Sequence, residues 1–306
     1  MKKLIVYRLL QMLPTVFLVA SAVFFLFQLI PGDPAVVFAG EQASAETLAK
    51  VREELGLDQP VHVQYWLYVR RLVKFDLGKS FISGVNVNQE IKVRFPNTIR
   101  LAFLATLVSS SFGITMGLLS AVKQDSILDY GLTTFALLGM SIPVFWLGLI
   151  LIYIFGVQLK MLPIAGNASW QHYLMPVFVL ASYATAATFR ITRSSVLETM
   201  GGDFVRTARA KGAREYTVIF RHVLRNSLIP VVTVIGLQFG YMLGGSIITE
   251  TIFAWPGMGR LLVMAVNQRD VMVVQGCLII FSSCFVIVNL VVEVAYVFVD
   301  PRISYS

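Results

Sequence analysis

Hydrophobic positions in this chain fall into long blocks separated by shorter polar intervals. Residues 9–30 are almost continuously apolar, and about 20 such residues cross a bilayer as a helix. Further blocks cover residues 98–122, 130–158, 173–192, 229–249 and 271–299. The pattern predicts an all-α integral membrane protein with six transmembrane helices. The third block is interrupted by Ser141, Ile142 and Pro143, and a proline inside a span predicts a kink. The fourth carries Ala181, Ser182, Ala184, Ala186 and Ala187, small residues of the kind that pack helix against helix in membranes. The fifth repeats Gly236, Gly240 and Gly244 every four residues, with Gly245 and Ser246 adjacent. That stripe predicts close packing against another span. A pathway-lining helix with Gln238 nearby is the functional alternative, and Glu250 at its end is either a gate contact or a side chain reaching water.

The polar intervals carry their own signals. Residues 31–97 are mixed in polarity and read as an outer region between the first span and the rest. Within it, residues 45–55 predict a helix, with Ser44 able to cap it, Leu48, Val51 and Leu55 on one face, and Gly56 able to stop it. Val61, Tyr65, Tyr68, Leu72 and Phe75 form a second stripe. It predicts a helix resting on the outer membrane face or on the protein's own spans, or a platform for an external protein. Ala20-Ser21-Ala22 resembles a signal-peptide cleavage site, but the apolar run continues past it, which favours an uncleaved first span. The organisation expected is a tip and first span at 1–30, an outer region at 31–97, and a five-helix core at 98–306 with a polar loop at 194–228.

That loop is the most informative stretch. Residues 198–230 hold Arg206, Arg209, Lys211, Arg214, Arg221 and Arg225, opposed after Glu198 by Asp203 and Glu215 alone. Such a basic excess beside spans predicts a cytoplasmic location. With Lys2, Lys3 and Arg8 at the start, it puts both termini inside. The loop reads as two short helices. Asp203 can cap the first and Gly212 can end it in the left-handed conformation; the second covers about residues 215–226. Phe204, Ala208 and Lys211 share a face of the first, and small Ala208, Ala210 and Gly212 permit another protein to approach. A solvated basic loop held by anionic lipid is the plainer reading.

Composition sharpens the picture. The chain has 306 residues, of which 57% are hydrophobic and 14% charged, with a formal net charge of +8. A soluble protein of this make-up lacks the polar surface to cover itself. The positive balance concerns orientation and anionic membrane lipid; there is no nucleic-acid motif. Cys277 and Cys284 are seven residues apart, roughly 10 Å along a helix, too far for a disulfide. Active transport needs an energy source, yet the sequence has no phosphate-cradling GxxxxGK[ST] and no HExxH. His62, His172 and His222 lie on separate segments, so no catalytic constellation stands out, and no metal site. The spans carry no obvious proton relay. A self-sufficient carrier and a membrane receptor or scaffold are the rival classes.

The loop 198–230 resembles the cytoplasmic coupling loop of bacterial ABC importer permeases. That family shows Glu-Ala-Ala, three residues, a glycine, and a proline eighteen residues later. The triplet falls here on Arg206, Thr207 and Ala208, the glycine on Gly212 and the proline on Pro230. Arg206 replaces the family glutamate, and Arg225 stands where many relatives have a second proline; both departures resemble the peptide-importer branch. LIPGDP at 29–34, LGLDQP at 55–60, WPGMGRLL at 255–262 and DPR at 300–302 extend the resemblance over the whole chain, with Met258 where leucine is commoner. It is similar to the first permease of dipeptide, oligopeptide and glutathione importers, and to nickel permeases. The resemblance implies a type I importer permease fold in the bacterial cytoplasmic membrane. It also implies a homologous second permease as heterodimer partner, two cytoplasmic ATPase subunits and an external substrate-binding protein. No cofactor would be bound by this chain, since ATP and Mg belong to the ATPases. It further implies ATPase coupling through Asp203, Arg206, Thr207, Ala208, Lys211 and Gly212. Gln238, Gly240, Gly244, Ser246 and Glu250 are the expected pathway residues.

Overall fold

The computed structural model describes residues 2–29, 33–40, 42–80 and 82–299. Among them, regular structure is helical apart from one isolated bridge between Lys79 and Asn86. The helices are α1 (Lys2–Gln28), α2 (Pro34–Ala39), α3 (Ala45–Leu55), α4 (Val61–Val73), α5 (Val87–Val122), α6 (Ile127–Ser141) and α7 (Val144–Leu151). They continue with α8 (Gln171–Met200), α9 (Asp203–Ala210), α10 (Glu215–Thr217), α11 (Arg225–Ile252), α12 (Met258–Asn267) and α13 (Val271–Val299). π-helical turns occupy Ile152–Gln158 and Val218–Leu224.

Among the described residues, four helical stretches are long and apolar enough to cross a membrane: α5, α8, Glu215–Gly244 and Val271–Val292. The pair α6 and α7, the latter extended by its π turn, makes a fifth if it counts as one span. The apolar part of α1, Leu13–Gln28, is shorter. The fold is thus an all-helical membrane architecture with four to five evident spans.

Local sequence explains most boundaries. The Ser44 hydroxyl accepts from the Thr47 N–H at 3.1 Å at the start of α3, and Gly56 ends it at φ +62°. Asp33 starts α2, a helix too short to announce itself, by accepting from the Ala35 N–H at 2.9 Å. The aromatic stripe of α4 rests on the protein's own spans. The Tyr68 hydroxyl donates to the Ala20 carbonyl at 3.2 Å, Ser21 and Tyr65 share a 2.6 Å hydrogen bond, and Gln28 donates to Gln64 at 2.9 Å. Phe75 is not part of that stripe; α4 stops at Val73, and Phe75 is exposed with φ +55°.

The expected kink in the third span is a full break. Ile142 is extended, Pro143 opens α7, and the two helices meet at 98°, because proline's ring also bars the helical conformation to the residue before it. The second loop helix expected over 215–226 does not stand alone. α10, the π turn and α11 follow without interruption, so the fifth span begins at the loop itself.

α5 and α8 form the tightest pair. A Cβ on Gly113 would lie 2.6 Å from Thr188 Cβ, and one on Gly117 2.7 Å from Thr192 Cβ. Here glycine is required for the backbones to approach. The small residues of α8 are buried: Ala181 and Ala184 pack with Leu101, Ala102 and Ala105 of α5, and Ala186 packs with Ala136 of α6.

Candidate functional site

Start from α9. Its N-cap position is Gly202, with no side-chain cap. Asp203 is therefore the first helical residue, not the cap expected, and its exposed carboxylate lies 3.7 Å from Arg206. Gly212 does end the element in the left-handed region, at φ +77°. Val205 is fully buried in a cluster with Leu118 and Ala121 of α5, Val196 of α8, and Val218 and Val223 of the π turn. That one side chain plugs α9 into the ends of three spans. Ala208 is half-buried and packs against the same cluster. Arg206, Thr207, Arg209, Lys211 and Gly212 face outward with Phe204. The elbow after α9 is closed by Arg209, which donates to Glu215 at 2.6 and 3.2 Å. The result is a short rod with a locked underside and an exposed basic ridge.

Beside it lies a polar clamp that the sequence did not announce. Arg193 of α8 holds Asp129 of α6 in a two-pronged contact, Nε to Oδ1 at 2.9 Å and Nη2 to Oδ2 at 2.7 Å. Ser120 of α5 donates to the same carboxylate and accepts from Arg193 Nε at 3.0 Å. The Asp125 N–H adds a bond of 3.0 Å. Asp129 is 2% exposed. Arginine suits this role because its planar fork matches a carboxylate.

A second buried carboxylate lies at the opposite end of α5. Glu250 of α11 is 0% exposed, so it does not reach water. It accepts from Thr98 Oγ1 at 2.7 Å, Ser246 Oγ at 3.1 Å and the Arg260 N–H at 3.1 Å. Thr98 Oγ1 in turn accepts from the Met258 N–H at 2.8 Å. Asn97 donates to the Pro256 carbonyl at 2.9 Å, and Trp255 Nε1 donates to the Asn97 carbonyl at 3.2 Å. The Trp-Pro-Gly turn and the start of α12 are thereby tied to α5 and α11. Side chains at Gly257 or Gly259 would collide with the Glu250 carboxylate.

The expected pathway residues divide between two environments. Ser246 and Glu250 belong to this far-end knot. Gly240 packs on Phe285 and Val288 of α13, and Gly236 on Val292. Gly244 has no atom within 4 Å of an added Cβ, and with exposed Leu237, Tyr241 and Ile248 it forms an open face of α11. Gln238 is half-buried and makes no side-chain hydrogen bond among the described residues. The side chain of Glu293 and residues 300–302, including the DPR motif, lie outside the described residues. No group of three or more His, Cys, Asp or Glu side chains converges as a metal site among the described residues.

Comparison with known proteins gives this geometry a context. Residues 113–305 match the model of the family described as "Binding-protein-dependent transport system inner membrane component". Residues 1–102 match its N-terminal membrane component. The chain is 45% identical over 299 residues to the "Glutathione transport system permease protein GsiC" of Salmonella choleraesuis (strain SC-B67), covering 98% of each chain. It is 43% identical over 302 residues to the protein of that name from Escherichia coli (strain K12), covering 99% of each. Among solved structures, one titled "Crystal structure of an amino acid ABC transporter with histidines" matches with a TM-score of 0.52 at 17% identity. That match spans 68% of this chain and 94% of that one, and shows the shared permease fold. A binding-protein-dependent system implies a binding protein and an ATPase as partners, the permease itself hydrolysing nothing. This chain belongs to the multi-pass inner membrane permease components of binding-protein-dependent ABC transport systems.

Proposed function

We propose that the chain is the first permease subunit of an importer for glutathione and small peptides, working as a heterodimer with a homologous second permease. The glutathione transport for which its relatives are named supports the substrate class. In this reading six spans cross the membrane with both termini cytoplasmic, α1 and the broken α6–α7 pair each counting as one. Residues 1–30 form the tip and first span, 31–97 the outer region, and 98–306 the core carrying loop 194–228. Two cytoplasmic ATPases grip the ridge of α9, with Arg206, Thr207 and Lys211 making contact. Asp203 and Gly212 set the rod's ends, and Ala208 seats it. The open face of α11 around Gly244, with Gln238 beside it, contributes to the pathway, which Gly240, Ser246 and Glu250 brace from behind.

One observation carries the coupling assignment: α9 exposes a basic ridge while Val205 beneath it is fixed among α5, α8 and the start of the fifth span. A push on such a rod is delivered to all three. The test reconstitutes the complete transporter and measures glutathione and dipeptide uptake with ATP. Arg206→Glu with Lys211→Glu is expected to release the ATPases and abolish uptake while membrane insertion survives. Unchanged uptake, or labelling of residues 203–212 from the external side, sinks the assignment. Uptake of nickel without peptide or glutathione sinks the substrate reading.

A further inference from the structure

The loop reading leaves two buried carboxylates unused, and both are tied to α5. At the loop end, Ser120 binds Asp129 and Arg193. At the far end, Thr98 binds Glu250 and the first N–H of α12. The 22 helical steps from Thr98 to Ser120 make a rod of about 33 Å at the ordinary rise of an α-helix, close to the thickness of a bilayer core. The one proline in α5, Pro96, precedes this interval. Along it, Gly113 and Gly117 let α8 lie against the rod without a gap. Arg193 sits on that same α8, ten positions before α9 begins.

We propose that Glu250 is a positioning residue for transport. It makes α12 and the Trp-Pro-Gly turn part of one rigid body with α5 and α8, so that displacement of α9 is delivered to the far face at α12. The chemistry of the knot fits this role. A carboxylate has only acceptor sites, and Glu250 offers them to donors from three different elements: Thr98 from α5, Ser246 from its own helix, and the backbone at the head of α12. Glutamine keeps the shape but replaces one acceptor oxygen with a donor amide, so the hydroxyls around it must turn and the present set of bonds is lost. The site is closed to bulk solvent, with Trp255, Met258, Ser246 and Glu250 each at 0% exposure, so a lost bond there costs more than at the surface. Gly257 and Gly259 leave room for the carboxylate against the backbone and for nothing else. Among the described residues this knot is the densest polar fastening of α12, and Val266 and Met264 lie on its exposed side.

The proposal rests on the loop reading, and the experiment separates the two. In the complete transporter, with Cys277 and Cys284 replaced by alanine, spin labels are placed at the exposed positions 93 on α5 and 266 on α12. Their distance distribution is recorded with and without a non-hydrolysable ATP analogue, and uptake per ATP hydrolysed is measured on unlabelled protein. The parent is expected to keep one narrow distance in both states. Glu250→Gln and Thr98→Val are expected to broaden it and to lower uptake per ATP while the ATPases stay attached. Thr98→Ser, which keeps the hydroxyl, is expected to restore both. The loop variant Arg206→Glu with Lys211→Glu behaves oppositely, shedding ATPase with the 93–266 distance intact. If Glu250→Gln does not assemble, the two Thr98 variants decide the matter. A distance that stays narrow in Thr98→Val, or an uptake per ATP that stays at the parent level, overturns the proposal.

Discussion

The two ends of α5 solve opposite problems. At the loop end, one buried apolar side chain, Val205, holds α9, whose other face stays open and basic, while the Arg193–Asp129 pair beside it ties α8 to α6. At the far end, a comparable short helix, α12, is held by its own backbone N–H groups through Glu250 and Thr98, with Met258, Gly259 and Leu261 of its first turn buried. The difference teaches where each element's free surface is needed. In the proposed coupling, α9 is gripped on a polar face kept outside and anchors through apolar packing. α12, proposed to follow the body to which it is attached, adds inward hydrogen bonds to the apolar packing of Met258, Leu261 and Ala265.

The largest blow to this contrast is Arg193→Ala. It leaves the Asp129 carboxylate buried without its cation, a loss of about 3–5 kcal/mol, read as a lower thermal unfolding midpoint in detergent. Arg193→Lys keeps the charge but not the fork and is expected to cost less; equal stability of all three proteins removes the clamp from the account. Next comes Gly259→Ala. Its methyl group would stand 2.7 Å from Ile247 Cα and 3.0 Å from the Glu250 carboxylate. Overpacking of that kind costs about 1–3 kcal/mol, and differential cross-linking of α12 to α5 should show the far end loosened while the loop end is untouched. Arg206→Glu, at an exposed site, should move stability by no more than about 0.5 kcal/mol yet cut ATPase attachment. A large drop in stability there would erase the distinction between gripped and anchored surfaces.

The smallest effect concerns acid. The Asp33 carboxyl is held below its ordinary value, first by the Ala35 N–H and then by Arg52, which it meets at 2.5 Å. A depressed carboxyl stabilises the fold above its unfolded pKa, and that contribution fades as pH falls through the folded value. The hydrogen-exchange protection of residues 34–39, taken relative to the intrinsic rate at each pH, should therefore be highest near neutral pH and fall in acid, with that of α9 unaffected.

Much of this was legible along the chain. Ser44 and Gly56 bound α3, Gly212 closes α9 and Pro143 divides the third span because each acts on its immediate neighbours. The two carboxylate clusters were not legible. Arg193 meets Asp129 across 64 positions and Thr98 meets Glu250 across 152, and no local period encodes such partners. Glu250 read as a water-facing or gate residue because it ends an apolar run; only tertiary packing shows that hydrogen-bond donors surround it. On α9 the cap was not legible: Gly202, not Asp203, holds the N-cap position, because an acidic residue suits the first helical turn as well as the cap.

The chain climbs out of the loop on a wider coil than the one it continues with. Between Val218 and Leu224 each turn takes up an extra residue before α11 resumes ordinary winding. Deleting one residue there would let the α pattern run through, and because the turn that takes up the extra residue then closes with one fewer, the helix beyond keeps close to its present azimuth. The same deletion inside the regular part of α11 would turn everything beyond it by about 100° and draw it back by roughly 1.5 Å. The foot of the fifth span is thus the place where this helix can lose a residue while Leu237, Tyr241, Gly244 and Ile248 keep the side on which they open.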